Sequence, residues 1–209
     1  MTDTVIDMMK RTGCRVIKLD SGDDMIIPLA VLKKAPLAVG QAVSPAEYRA
    51  RVLPLEKALA LEHAARMLMG RDRSEGEIRK KLQDIGYQEQ TVAQTLSRLV
   101  ASRLVDDSRF VADFINMKIK RVGIMRIRQE LRMKGIAPED IEAALAEADG
   151  EVQLDAAVKH ARKALSKKTN DPRHQARLAF AALARRGYPP DIARKALELA
   201  QQEADGLPG

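Results

Sequence analysis

The sequence predicts an all-α fold: a tandem array of three three-helix repeats with a small N-terminal β-hairpin extension. Three observations carry that reading. Aromatics make up only 3% of the 209 residues and Trp is absent, while Ala, Leu, Arg, Lys, Glu and Met dominate, residues that lose little rotamer freedom in a helix. Three segments align without gaps through their centres: Ile78–Tyr87, Ile127–Ile136 and Ala179–Tyr188. Each has a Leu (Leu82, Leu131, Leu183) four residues before a Gly and another (Leu96, Leu145, Leu197) ten residues after it, and the Gly-to-Gly spacings are 49 and 52 residues. A period of that length marks stacked supersecondary units.

Residues 1–53 read as the extension. Cys14 to Pro28 alternates β-branched and polar residues on both sides of Asp20-Ser21-Gly22-Asp23, which predicts a hairpin over about 14–29. The acidic turn lacks the spacing and terminal Glu of a calcium loop. An isolated hairpin is marginal in water, so it needs a helix or partner to pack on. A short helix follows Pro28, and another is expected after Ser44. Cys14 is the one cysteine, so no internal disulfide forms, and it reads as a small buried apolar residue.

Repeat 1 spans 54–104, repeat 2 spans 105–150 and repeat 3 spans 151–204, with a tail at 205–209. Each repeat opens with a helix: Leu55–Gly70, Asp107–Val122 and Glu151–Lys168. The second helix ends at the Gly, which supplies the left-handed C′ residue. The next residue (Tyr87, Ile136, Tyr188) packs back on the helix just ended. Pro138 and Pro189-Pro190 then suit the first turn of the third helix. Val92, Leu96 and Leu99 in repeat 1, and Ile141 and Leu145 in repeat 2, form its apolar stripe. Ser74 with Glu77 is a capping box, and Asp107 and Asp171 suit N-caps.

The net charge is +7 and the pI about 9.6. By segment it is +2, +2, −1 and +4 for residues 1–53, 54–104, 105–150 and 151–209. No segment is a basic tail, so the positive charge is patterned within helices, which suits nucleic acid or an acidic protein surface. Between Lys118 and Lys134 lie seven basic residues and a single acid, Glu130. Arg128 and Arg132 share a helix face, although like charges at i,i+4 cost about 0.2–0.5 kcal/mol. An anionic partner would justify the pair. The basic residues fall into three groups. Repeat 1 has Arg71, Arg73, Arg79, Lys80 and Lys81. Repeat 2 has Lys118, Lys120, Arg121, Arg126, Arg128, Arg132 and Lys134. Repeat 3 has Lys167, Lys168, Arg173, Arg177, Arg185 and Arg186. On successive repeats they could line one long surface.

No constellation for chemistry is present in the sequence. His63, His160 and His174 are far apart, one Cys makes no Cys-based zinc site, and no phosphate-cradling GxxxxGK loop occurs. Asp106-Asp107 suits capping and the helix dipole rather than acid/base work. Phe110 and Phe114 read as core, which leaves no stacking platform for single strands. An enzyme is therefore not expected, nor a catalytic residue, metal or cofactor. No apolar run reaches the roughly 18 residues of a membrane span and the N-terminus lacks a signal-peptide core, so the expected location is the cytoplasm.

Three stretches then identify a family. Gly70-Arg-Asp-Arg-Ser-Glu-Gly-Glu-Ile-Arg-Lys-Lys-Leu82, Leu104-Val-Asp-Asp-Ser-Arg-Phe-Val-Ala-Asp-Phe-Ile115 and Arg126-Ile-Arg-Gln-Glu-Leu-Arg-Met-Lys-Gly-Ile136 resemble the bacterial RecX regulatory proteins, in order and spacing from about Leu55 to Ala148, with a looser match in the third repeat. The family often has Gly-Pro before the Arg-Ile-Arg helix, whereas Gly123 here precedes Ile124-Met125. Lys118 stands where an Arg is common, which removes the bidentate fork.

The resemblance implies an elongated, curved molecule, expected to be a monomer, that lies in the groove of the RecA–DNA filament. It implies regulation, chiefly inhibition, of RecA ATP hydrolysis, strand exchange and co-protease action, and hence of recombination, DNA repair and the SOS response, with weak DNA binding. The candidate contact residues are Arg71, Arg73, Arg79, Lys80, Lys81, Lys118, Arg121, Arg126, Arg128, Arg132, Lys134, Arg185 and Arg186. Two further readings stand beside it: a helical protein that binds DNA directly without RecA, and a helical adaptor with no nucleic-acid role.

Overall fold

A computed structural model describes residues 2–166 and 171–206, and divides the chain into two compact units, Met1–Asp106 and Asp107–Gly209.

The first unit opens with a four-stranded antiparallel sheet of order β3-β2-β1-β4, with β1 Asp3–Arg11, β2 Cys14–Leu19, β3 Met25–Pro28 and β4 Ala42–Val43. The expected hairpin is the β2–β3 pair, with Cys14 opposite Pro28 and Ile17 opposite Met25. The extension is larger than a hairpin, and this corrects the sequence reading. Asp3–Arg11 is a strand that pairs with β2 along its length, from Val5 opposite Leu19 to Arg11 opposite Cys14. Its only fully buried residue is Val5, so it carries no alternating apolar signal, and its pairing is set by the tight turn at Gly13 (φ +81°).

Helix α1 (Leu29–Lys34) follows β3 directly. Helix α2 runs without a break from Pro45 to Leu68, capped by the Ser44 hydroxyl, which accepts from the Glu47 amide at 3.4 Å. A new helix was expected from Leu55, so this is a second correction. Pro54 removes one i→i−4 hydrogen bond, yet Tyr48 and Val52 before it and Leu59, Ala60 and Ala64 after it are all buried. Burial on both sides outweighs the missing bond. Helices α3 (Glu75–Ile85) and α4 (Glu89–Ala101) complete the unit. Ser74 and Glu77 form the reciprocal capping box.

The sheet and helices share one core. Val5, Ile17, Leu19 and Met25 pack in the same cluster as Tyr48, Ile78, Leu82, Leu96 and Leu99. The sheet docks at the turn that ends α3. A Cβ on Gly86 would meet Ile26 Cγ2 at 2.5 Å, and one on Gly13 would meet Ile85 Cγ1 at 3.2 Å. Cys14 is fully buried, and burial pushes its thiol up despite Arg11.

The second unit holds α5 (Asp107–Lys118), α6 (Ile124–Met133), α7 (Pro138–Ala146), α8 (Gly150–Leu165), α9 (Pro172–Arg185) and α10 (Pro190–Asp205). Helix α5 stops four residues before the expected Val122, and Gly123 becomes the N-cap residue of α6. Asp107 is the first residue of α5 rather than a residue preceding it. Asp149, not foreseen, caps α8 through the Glu151 and Val152 amides, and Asp171 caps α9 through the Arg173 amide. Val111, Phe114, Ile115, Ile127, Leu131 and Ile141 form one core. Ala156, Ala161, Leu183, Tyr188 and Leu197 lie in another.

The repeat is explicit in the backbone. Gly86, Gly135 and Gly187 have φ of +93°, +79° and +84°. The amide after each Gly donates to the repeated Leu: Tyr87 to Leu82, Ile136 to Leu131 and Tyr188 to Leu183, each at 3.2 Å. These are the six-to-one bonds of a Schellman motif, and the three residues that follow Gly are buried. Burial pushes the Tyr87 and Tyr188 phenols up to about 12.

Candidate functional site

The basic residues of the second unit centre on α6, whose position is fixed from its own N-terminus. The first amides of a helix have no intrahelical acceptor. Here the Gly123 amide donates to the Arg186 carbonyl at 3.0 Å, Ile124 to the Gln153 side-chain oxygen at 3.1 Å and Met125 to the Gly187 carbonyl at 3.0 Å. A Cβ on Gly123 would lie 2.2 Å from the Gly187 oxygen, so only glycine permits the approach. His160 adds a contact of 3.1 Å from its Nε2 to the Arg121 carbonyl. Burial holds the His160 pKa below the usual histidine value despite that bond.

Three groups of side chains on α6 bear on the charged residues. Ile127 and Leu131 face the core. Arg128 is held in a two-point bond by Glu142 of α7, at 2.6 and 2.8 Å; that bond raises the Arg128 pKa and lowers that of Glu142. Arg132, its neighbour at i+4, is exposed and makes no ion pair among the described residues. The third group surrounds Glu130, which accepts from Lys118 and from Arg126, both at 2.9 Å. Burial raises the Glu130 pKa, but the bonds from Lys118 and Arg126 outweigh it and the net shift is downward. Lys118 also lies over the Phe114 ring at 5.3 Å, and Lys134 over Phe110 and Phe114 at 5.6 Å. Those rings stack on each other at 6.0 Å.

The side chains of Arg121, Arg185 and Arg186 are exposed, while the Arg121 and Arg186 carbonyls hold the α6 turn as described. The first unit spreads its candidates more widely. Arg71 pairs with Glu77 at 2.7 Å, Arg73 bonds the Met67 carbonyl at 3.1 Å and Arg79 pairs with Glu89 at 2.9 Å. Lys80 and Lys81 are exposed on α3. Lys167 and Lys168 lie outside the described residues.

Lys118, Arg126 and Glu130 are thus brought together, whereas Arg71, Arg73, Arg79 and Arg128 are each engaged with another partner. Glu130, Glu142, Gln153 and His160 were not singled out as site residues. Glu130 carried a signal, being the single acid of the basic stretch and four residues after Arg126. Gln153 and His160 act 29 and 39 residues from their partners, and nothing local marks them. Among the described residues no group of three or more His, Cys, Asp or Glu could hold a metal ion. No helix among them is long and apolar enough to cross a membrane.

Three descriptions of one family match the chain: RecX first three-helix domain over residues 60–99, second over 106–145 and third over 151–197. The Regulatory protein RecX of Levilactobacillus brevis is 32% identical over 93% of this chain and 74% of its own length. That of Prosthecochloris aestuarii is 33% identical over 66% and 91%. That of Mannheimia succiniciproducens is 40% identical over 93 residues. The chain spans 61% of the Mannheimia relative and 64% of a Limosilactobacillus reuteri one. A solved structure described as regulatory protein RecX superposes with a TM-score of 0.63 at 27% identity, over 96% of this chain and 99% of that one. RecX from Lactobacillus salivarius, at 19% identity and a TM-score of 0.64, shares the fold.

Proposed function

The chain belongs to the RecX family of regulatory proteins, and from that premise we propose that it regulates, chiefly inhibits, RecA recombinase by binding in the groove of the RecA–DNA filament. It acts as a monomer and without a cofactor, through three repeats bounded at 54–104, 105–150 and 151–204. The observation that carries the reading is α6: a helix seated through its N-terminal amides, with Arg132 exposed and with Arg126 beside the exposed Arg185 of α9. Contacts of such cations with an anionic partner weaken with salt.

The direct DNA-binding alternative needs α6, or a helix like it, to present its N-terminal residues to base edges. The amides of Gly123, Ile124 and Met125 are bonded to residues 186, 153 and 187, so the N-terminus of α6 has no free amides to offer a phosphate. The test is a RecA ATPase and strand-exchange assay with increasing full-length chain. Inhibition at protein levels well below those of RecA is the expected result. Activity unchanged at stoichiometric addition refutes the proposal.

A further inference from the structure

Helix α6 has a second face that the basic residues do not explain. Met125 and Met133 lie roughly opposite Ile127 and Leu131 around the helix, and they are 51% and 69% exposed. Together with Arg126, Gln129 and Glu130, and with Arg185 at the end of α9, they line a groove of about 460 Å3. Exposed large apolar side chains gathered at a concave surface mark interaction sites, and methionine adapts to irregular apolar partners.

We infer that this groove takes an acidic amphipathic protein helix, with apolar side chains about two turns apart seated on Met125 and Met133 and its carboxylates facing Arg126 and Arg185. The inference rests on the RecA-filament reading and names the partner chemistry at that surface. Charge complementarity selects this occupant. In the lining, Arg126 and Arg185 stand against one carboxylate, Glu130, which already receives Arg126 and, from outside the lining, Lys118. Arg185 has no ion pair among the described residues, so the groove keeps a positive surplus that an acidic segment would neutralise. A second copy of this chain, itself +7, would add to that surplus. Nucleic acid would leave the two thioethers without an apolar partner and would find no aromatic ring in the lining to stack on. A helix laid in a groove, anchored by apolar side chains along one face, is a recurrent recognition mode.

The test uses the full chain with Met125→Gln and Met133→Gln together, near-isosteric changes that alter neither charge nor helix propensity greatly. Affinity is measured for RecA filaments on single-stranded DNA and, separately, for the bare oligonucleotide, with circular dichroism as the check on folding. Filament affinity is expected to fall tenfold or more while oligonucleotide affinity stays within twofold. Unchanged filament affinity overturns the groove proposal and leaves the filament reading standing. A parallel loss of both places nucleic acid in the groove and also overturns it. If the wild-type chain itself does not bind filaments, the reading beneath fails and the groove proposal with it. A second measurement labels Met133→Cys with a photo-crosslinker, since the native Cys14 is buried. Crosslinks into an acidic helix of the protein partner support the proposal, and crosslinks to DNA alone overturn it.

Discussion

Gly123→Ala is the substitution with the most specific consequence. The backbone there has φ −78°, which any residue adopts, so no conformational strain enters. The effect is steric. The added methyl would sit 2.2 Å from the Gly187 oxygen, 2.3 Å from its carbonyl carbon and 2.3 Å from the Tyr188 nitrogen. All three are backbone atoms of a turn pinned by the Schellman bonds, so no side chain can swing aside. Overpacking of this kind costs about 1–3 kcal/mol. Separation also weakens the Gly123–Arg186 and Met125–Gly187 bonds, each contributing about 0.5–1.5 kcal/mol net. The total is on the order of 2–6 kcal/mol. At roughly 4–8 °C per kcal/mol for a domain of about a hundred residues, calorimetry on the full chain should show the melting of the second unit lowered by about 10 °C or more. Gly150→Ala is the control: it lies at the start of α8 with nothing within 4 Å of its Cβ, and should be neutral or stabilising by about 0.4–1 kcal/mol. A Gly123→Ala midpoint within 2 °C of wild type would refute the claim that the α6 seat is a close backbone contact.

Other outcomes follow from single contacts. Ser74→Ala should cost about 1 kcal/mol in urea denaturation by removing the hydroxyl that accepts from the Glu77 amide in the capping box of α3. Glu56→Ala should cost about 1–3 kcal/mol, because this 3%-exposed carboxylate receives both the Gln88 amide and its side-chain NH2 at 2.7 Å. Arg132→Gln should lower filament affinity with little change in melting, whereas Arg128→Glu should also lower the melting temperature, since it breaks the two-point bond and sets a second carboxylate against Glu142. His63 and His160 both have pKa values lowered, by burial first. The unfolded chain therefore binds protons more readily than the folded one below about pH 6.5. Stability should be fully present above that pH and fall as pH drops through 6.5 toward the folded values. Equilibrium denaturation at pH 7.5 and 5.5 checks this, and the difference should shrink in His63→Gln/His160→Gln.

The three-helix repeats were legible because their signals are local. A left-handed Gly, a Leu four residues earlier and, in repeats 2 and 3, a Pro at the next N-terminus each act within one turn of chain, and Leu82, Leu131 and Leu183 all accept the same bond. Strand β1 was not legible, because only Val5 of its nine residues is fully buried and its pairing comes from a neighbour across a turn. The continuity of α2 was hidden by Pro54, whose local penalty is offset by burial that no local pattern reports. At the candidate site the residue types were visible, and so was their crowding on one helix. Which cations are engaged was not: Arg128 finds Glu142 fourteen residues away, and α6 is seated by Gln153 across 29 residues. Those partners depend on helix packing, and the sequence lists them without pairing them. Met125 and Met133 were absent from the sequence-level candidates because an exposed methionine looks the same as a buried one until the helix is placed.

The most direct test of the central claim is co-sedimentation of the full chain with RecA–single-stranded DNA filaments, beside the same DNA without RecA, across a salt series. The account predicts saturable retention on filaments at salt concentrations where bare DNA retains little, with a loss as salt rises. Equal retention on bare DNA and filaments, or none on filaments, would contradict it.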